Sequence, residues 1–136
     1  MNVPITSLYA ALTALLVIFL AYRVVKYRRS LRVGLGANDN RELQVAIRAH
    51  ANTVEYSPLF LILLLLAEIN QLPNAWLHMF GALFVLSRLG HGWGFTKTSG
   101  GYSRGRFYGT VITWLVIVAL AVINLACYLG IILKQV

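Results

Sequence analysis

The sequence from residue 48 to residue 67 is RAHANTVEYSPLFLILLLLA. Its second half is an uninterrupted apolar run, Leu59 to Ala67, of the kind found in membrane-spanning helices. Its first half sets four polar or ionisable side chains directly before that run, where hydrocarbon surroundings make each of them costly. These side chains are Arg48, His50, Asn52 and Glu55. Because such groups need a compensating role inside a membrane, we expect this stretch to carry function.

The composition of the whole chain indicates a small integral membrane protein. Of its 136 residues, 59% are hydrophobic and only 12% are charged, which is too apolar for an ordinary soluble domain. A helix needs about 20 apolar residues to cross a hydrocarbon core, and the sequence has four apolar runs of close to this length. We therefore predict a single domain over residues 1–136, an all-α bundle of four transmembrane helices with up-down topology.

The charge pattern argues against a nucleic-acid partner. The formal net charge is +8, but the basic residues lie at the ends of apolar runs, where helices meet lipid head groups. Cys127 is the only cysteine, which excludes an intrachain disulfide and a cysteine-based metal site. We predict membrane lipid as the surroundings, with no metal and no nucleic acid bound.

The apolar runs and the turn residues between them set the predicted helix bounds. The four helices are expected at Pro4 to Lys26, Arg41 to Asn70, Ala75 to Phe95 and Arg106 to Leu133. Asp39 or Asn40 is expected to cap the second helix, and Pro58 to kink it. Glu68 is interpreted as a solvated helix end.

The basic residues also predict an orientation. The first and third connections contain lysine and arginine, whereas the connection around Asn70 to Asn74 contains neither. By the positive-inside rule, the first and third connections face the cytoplasm and both termini lie outside it. The polar end of the second helix then lies near the cytoplasmic face.

On the second helix, Arg48, Asn52 and Glu55 follow i, i+4, i+7 spacing and so form one polar stripe. Two interpretations are open: a polar network that holds helices together, or a ligand site. Arginines at the same predicted depth far outnumber the acids, which favours an anionic ligand with carboxylates. The arginines concerned are Arg28, Arg29, Arg32, Arg48, Arg88 and Arg106.

The motif Arg48-Ala-x-x-Asn52-x-x-Glu55-Tyr56-x-Pro58-Leu59-Phe60 resembles the second-helix signature of a known family, the membrane-associated proteins in eicosanoid and glutathione metabolism. That family includes microsomal glutathione transferases, leukotriene synthase and prostaglandin E synthase. The likeness extends over essentially the whole chain. Supporting motifs are Arg28-Arg29-x-x-Arg32-Val33 in the first helix and Arg88-x-x-His91 in the third, the latter similar to the prostaglandin synthase branch.

The resemblance implies a homotrimer of four-helix protomers that binds glutathione between neighbouring subunits near the cytoplasmic face. By matching positions, Arg48, Asn52, Glu55 and Tyr56 would hold the tripeptide from one subunit, with Arg28 and His50 from its neighbour. The chemistry is suitable, because glutathione presents carboxylates to arginine and an α-ammonium to Glu55.

The resemblance also implies a thiolate-stabilising arginine at the start of the fourth helix. Arg106 matches that position best, and Arg104 is the alternative. His91 is counted among the glutathione-binding residues, either as a helix-end hydrogen-bonding group or in proton transfer. The chain departs from better-known members at Phe95, where they have a tyrosine. Tyr102 and Tyr108 are candidates to replace the missing hydroxyl.

Three functional hypotheses follow. The first is a membrane-bound, glutathione-dependent transferase or peroxidase that acts on lipophilic electrophiles, with Arg106 as its catalytic residue. The second is a glutathione- or lipid-binding member of the same fold with little or no catalysis, and the third is a small four-span transporter. We expect a multi-pass protein of a bacterial inner membrane.

Overall fold

The computed structural model describes residues 2–133, with side chains described up to Gly130. Residue 1 and residues 134–136, which belong to the predicted single domain and its termini, lie outside the described residues. The described chain is all-helical. Its four helices are α1 (Pro4–Leu31), α2 (Arg41–Ile69), α3 (Asn74–Lys97) and α4 (Arg104–Leu133).

Local signals account for the ends of the first two helices. α1 continues five residues beyond its predicted end and stops where Arg32 adopts a left-handed conformation with φ 55°. Asn40 caps α2 as expected, because its Oδ1 accepts the backbone N–H of Leu43 at 2.8 Å. Pro58 lies inside α2, one turn after the polar stripe.

The apolar half of the opening stretch supplies the centre of the core. Phe60 and Leu64 of α2 are fully buried, and the Phe60 ring stacks on Phe84 of α3 with centroids 3.8 Å apart. Leu120 of α4 completes this cluster. α2 therefore packs its Phe60 face against α3 and α4.

Three helices are long and apolar enough to cross a membrane: Pro4–Leu31, Arg41–Ile69 and Arg104–Gly130. Their outer faces expose large apolar side chains such as Leu15, Phe19 and Leu125, as expected for contact with lipid tails. α3 is not among the three, because it carries two histidines, an arginine and four glycines. The chain is an integral membrane protein, with a fourth crossing predicted from sequence alone.

Polar contacts at two levels tie α1 to the other helices. At the start of α1, the backbone N–H groups of Ile5 and Thr6 donate to the Glu68 carboxylate of α2 at 2.9 and 2.7 Å. Toward its other end, Nη1 of Arg23 donates to Oγ1 of Thr96 in α3 at 3.0 Å. The interpretation of Glu68 as a solvated helix end is wrong, because Glu68 caps the first turn of another helix.

This cap leads to a stability prediction. Replacing Glu68 with alanine leaves two first-turn N–H groups of α1 without their acceptor, and we expect a loss of about 1–3 kcal/mol. Unfolding in mixed micelles with a rising mole fraction of dodecyl sulfate measures the change. Glu42→Ala, which removes an exposed acid from the start of α2, serves as the control and should stay within about 0.5 kcal/mol. Equal effects of both changes would contradict the cap.

Candidate functional site

A buried arginine connects three helices at the level of the polar stripe. Arg88 of α3 is 1% exposed. Its Nη1 donates to Oδ1 of Asn52 in α2 at 2.7 Å, and its Nη2 donates to the carbonyl oxygen of Gly109 in α4 at 2.6 Å. Its guanidinium carbon lies 5.5 Å from the ring centroid of Tyr56, a cation–π contact. Asn52 and Tyr56 of the predicted site therefore belong to one network centred on Arg88.

The network extends to the outer surface of α4 through Tyr56. The indole Nε1 of Trp114 donates to the Tyr56 hydroxyl at 2.9 Å. Tyr56 is half-buried and Trp114 is exposed. Asn52 and Tyr56 of α2 are thus held in place by side chains of α3 and α4.

Close packing of α3 against α4 makes the Arg88 network possible. α4 has glycines at positions 105 and 109, which have the small-xxx-small spacing of tight helix contacts, and Gly94 of α3 faces this end of α4. A Cβ atom added at Gly109 would lie 2.6 Å from the carbonyl oxygen of Ser87, and one at Gly105 would lie 2.9 Å from that of Gly90. Only glycine allows the α4 backbone, including the Gly109 carbonyl, to approach α3 so closely.

The start of α4 brings Arg106 over the end of α3. The guanidinium carbon of Arg106 lies 4.6 Å from the ring centroid of Phe95, and its Nη1 donates to the Gly100 carbonyl at 3.2 Å. The backbone N–H of Arg106 donates to Oγ of Ser103 at 3.1 Å, which caps the helix. His91 is buried, with its ring 5.8 Å from that of Phe95. The apolar Phe95 face therefore holds Arg106 by stacking, where a tyrosine would also offer a hydroxyl.

Beside Arg106 lies a basic cavity of about 290 Å³, formed by the start of α2, the end of α3 and the connection to α4. None of the residues described as lining it is acidic. Arg41, Arg48 and Arg106 supply its charge, and Gln44, Val45, Phe95, Ser99 and Gly100 complete the lining. Nε of Arg41 also donates to the Ser99 carbonyl at 2.5 Å. Three guanidinium groups around one small cavity are chemically suited to an anion with more than one acceptor group.

The other predicted site residues lie apart from this cavity in the single protomer. Glu55 is exposed and His50 is half-buried, and neither belongs to the described lining of the basic cavity. Arg28 donates at the end of its own helix, to the carbonyl oxygens of Val33 and Gly34 at 3.4 and 3.0 Å. Arg104, the alternative to Arg106, is exposed and also lies outside the described lining.

Two features of the site did not follow from the sequence reasoning. Arg41 was predicted only as the first residue of the second helix, but it lines the cavity. It lies seven residues before Arg48, and this i, i+7 spacing, which places both arginines on one face of the helix, was the available signal. The spacing of Gly105 and Gly109 in α4 was the signal for the close helix contact. Among residues 2–133, no cluster of three or more His, Cys, Asp or Glu side chains could hold a metal ion.

A family model described as "MAPEG family" matches residues 6–126, which include most of each of the four helices and every residue of the basic cavity. The chain belongs to the MAPEG family. This confirms the resemblance seen in the second-helix motif. MAPEG proteins include glutathione transferases and related membrane proteins.

Among MAPEG relatives, the chain is similar to the inner membrane protein YecN of Escherichia coli K12. The two are 36% identical over 121 residues, which cover 89% of this chain and 90% of the relative. The protein of the same name from Escherichia coli O6:H1 matches with the same identity and coverage. The MAPEG likeness therefore spans the basic cavity and the Arg88 network together.

Proposed function

We propose that this MAPEG protein is a membrane-bound, glutathione-dependent transferase or peroxidase for lipophilic electrophiles. The observation that carries the proposal is the basic cavity, where Arg41, Arg48 and Arg106 converge without an acid among its described lining residues. Arg88 and its partners Asn52 and Tyr56 are a neighbouring structural support. A cavity with three cations and an apolar Phe95 wall favours a small anion that also carries a soft, polarisable group.

Glutathione matches this cavity group by group. Its two carboxylates provide bidentate acceptors for Arg41 and Arg48. The remaining cation, Arg106, is available to the thiol, and a positive charge beside a thiol lowers its pKa and raises the thiolate fraction. The exposed Glu55 carboxylate would bind the α-ammonium group. Because Glu55 lies outside the described lining of the cavity, its contribution requires a ligand that extends beyond the cavity.

A second hollow supports a lipophilic co-substrate. It has a volume of about 450 Å³, shares Gly100 and Arg106 with the basic cavity, and continues along α4 past Phe107 to Trp114. Phe107 and Trp114 of its wall are exposed on the outer surface of α4. An apolar electrophile could therefore reach Arg106 from the bilayer without crossing water.

The glutathione thiolate would react in one of two ways, as a transferase or as a peroxidase. In the transferase form, the thiolate sulfur bonds to an electrophilic carbon, a halide or similar group leaves, and Arg106 stabilises the thiolate beforehand. In the peroxidase form, the thiolate attacks the terminal oxygen of the hydroperoxide and the O–O bond breaks, which yields a sulfenic acid and an alkoxide that takes a proton from water to become the alcohol. A second glutathione converts that acid to the disulfide and water.

Assembly and orientation are part of the same proposal. Arg48 and Glu55 are exposed on α2 of the single protomer, and charged groups facing lipid are unfavourable. A homotrimer that covers them, and brings Arg28 and His50 of a neighbour toward the tripeptide, removes that cost. All four helices would cross a bacterial inner membrane in alternating directions, with the site near the cytoplasmic face and both termini on the other side.

One observation favours a second candidate, a glutathione-binding member with weak chemistry. Phe95 contacts Arg106 with an apolar ring and offers no hydroxyl to a thiolate. Such a protein would bind glutathione through the same arginines but ionise its thiol poorly. Both candidates predict that glutathione binds. They differ in whether the bound thiol ionises to the thiolate and in whether the protein turns over substrate.

Calorimetry and ultraviolet absorbance on the detergent-purified protein test both candidates. We expect glutathione to bind, to show a thiolate absorbance band at neutral pH, and to conjugate to a dinitrophenyl halide. Arg48→Ala should weaken binding of both glutathione and S-methylglutathione about tenfold, because one charge-assisted carboxylate contact is lost. Arg29→Ala, an exposed α1 arginine, is the matched control. Binding without a thiolate band would favour the second candidate, and absence of binding would exclude both.

A further inference from the structure

A separate groove lies between α1 and α3. Its volume is about 450 Å³, within the about 300–1,000 Å³ of ordinary ligand sites. It shares no described lining residue with the basic cavity. The apolar part of its wall consists of Leu16, Phe19, Leu20, Leu89, Gly92 and Trp93.

The open end of this groove is basic. Arg23 and Lys97 line it, and Arg23 reaches across from α1 to Thr96 of α3 through a hydrogen bond of 3.0 Å. A neighbouring hollow of about 440 Å³ shares Phe19 and Arg23 with the groove and adds Lys26, Tyr22, Tyr27 and Ser30. None of the described residues that line either space is acidic. The groove therefore leads from an apolar interior to a cluster of three cations.

The inner end of the groove holds an unused hydrogen-bond donor. Arg88 lines it and is 1% exposed, and its Nε–H has no hydrogen-bond partner among residues 2–133. The two terminal nitrogens of Arg88 are already bound to Asn52 and Gly109. A buried donor without an acceptor is costly, so the groove favours an occupant that carries an oxygen acceptor as well as apolar chains.

We propose that the α1/α3 groove binds one anionic phospholipid per protomer. An acyl chain packs against Leu16, Phe19 and Leu89, while the phosphate binds Arg23, Lys97 and Lys26. An ester oxygen of the lipid is the acceptor available to Arg88. Basic pockets between transmembrane helices recognise anionic head groups in this way. The inference does not depend on glutathione chemistry, because the groove and the basic cavity are separate.

Charge decides between a lipid and a second copy of the chain. The chain has 12 basic residues against 4 acidic ones. One of these acids, Glu68, already binds the start of α1. A second protomer thus has few carboxylates to offer to Arg23, Lys26 and Lys97, whereas every anionic phospholipid carries a phosphate at the depth of the head groups.

Native mass spectrometry of the detergent-purified protein tests this proposal. Dioleoyl phosphatidylglycerol and dioleoyl phosphatidylcholine are the probes, each titrated into delipidated protein. We expect one phosphatidylglycerol per protomer, bound at least about tenfold more tightly than phosphatidylcholine. The double variant Arg23→Gln with Lys97→Gln should bind phosphatidylglycerol about 30-fold more weakly, because each lost cation removes about 1 kcal/mol of binding free energy. The double control Arg29→Gln with Arg104→Gln makes the same change in net charge at exposed sites outside the groove and should bind normally.

A second pair of variants tests the apolar part of the groove independently of charge. Gly92 lines the groove, and a Cβ there would meet only Leu20 at an ordinary 3.9 Å, so Gly92→Leu should fold and fill the space. A Cβ at Gly90 would lie in open space, outside the described lining, which makes Gly90→Leu the matched control. We expect only Gly92→Leu to exclude the lipid.

Three lipid-binding results would overturn the proposal. They are equal affinity for the zwitterionic lipid, an equal loss in the charge control, and normal lipid binding by Gly92→Leu. Cross-links between protomers through Trp93→Cys, with no lipid bound, would also overturn it, because the groove would then be an interface between copies.

Discussion

Replacing Arg106 with alanine is expected to lower the rate of glutathione conjugation about 100-fold. A preorganised positive charge beside an anionic sulfur accelerates the reaction by about this factor, because without it the thiol stays largely protonated. Binding of S-methylglutathione, which has no thiol to ionise, should fall much less. The conjugation rate with a dinitrophenyl halide and the thiolate absorbance of bound glutathione measure the two effects separately.

The matched control is Arg104→Ala, which removes the same charge two residues earlier. Arg104 is exposed and lies outside the described lining of the basic cavity, whereas Arg106 lines the cavity and stacks on Phe95. The control should keep most of its activity. If Arg104→Ala lost the thiolate band and Arg106→Ala kept it, the assignment of the two arginines would be reversed.

Replacing Gly109 with alanine is expected to produce the largest loss of stability. The added methyl group would lie 2.6 Å from the carbonyl oxygen of Ser87 and 3.0 Å from the backbone nitrogen of His91. Both atoms belong to the α3 backbone and cannot move aside as a flexible side chain can. α4 must therefore shift away and weaken the bond between Arg88 and the Gly109 carbonyl, at a cost of about 2–4 kcal/mol.

Gly130→Ala on the same helix is the control, because a Cβ there meets nothing within 4 Å. Without a clash, alanine should be neutral or stabilise α4 by up to about 1 kcal/mol. Size-exclusion chromatography with fluorescence detection after heating gives the apparent Tm of both variants. A Gly109→Ala protein as stable as Gly130→Ala would show that α3 and α4 have room between them.

The helices were predictable because the bilayer imposes their lengths and because turn residues separate them. α2 was expected over Arg41 to Asn70 and forms over Arg41–Ile69, with Asn40 as its cap. The end of α1 was predicted too early, because no residue between Lys26 and Leu31 indicates whether the helix continues or stops. Within α4, the amide of Asn124 donates to the Leu63 carbonyl of α2 at 3.0 Å.

The partners of individual polar residues were harder to predict. Spacing along one helix gives the face on which Arg48, Asn52 and Glu55 lie, but it does not say what covers that face. The structure divides the stripe: Asn52 turns inward to Arg88, while Arg48 and Glu55 remain exposed. Glu68 was misjudged for the same reason, since the N–H groups that donate to its carboxylate belong to a helix more than sixty residues away.

Because Arg48 and Glu55 face outward, the stability of a protomer in the bilayer depends on how many other protomers are present to cover them. A lone protomer inserted at low abundance would carry both charges into lipid or draw water and head groups toward them. Any assembly that covers them becomes more favourable as protomers accumulate, so folding quality should rise with expression level. Proteolysis of newly made chains is therefore expected to fall steeply above a threshold concentration, and the cell would hold this protein as complete assemblies with few orphan subunits.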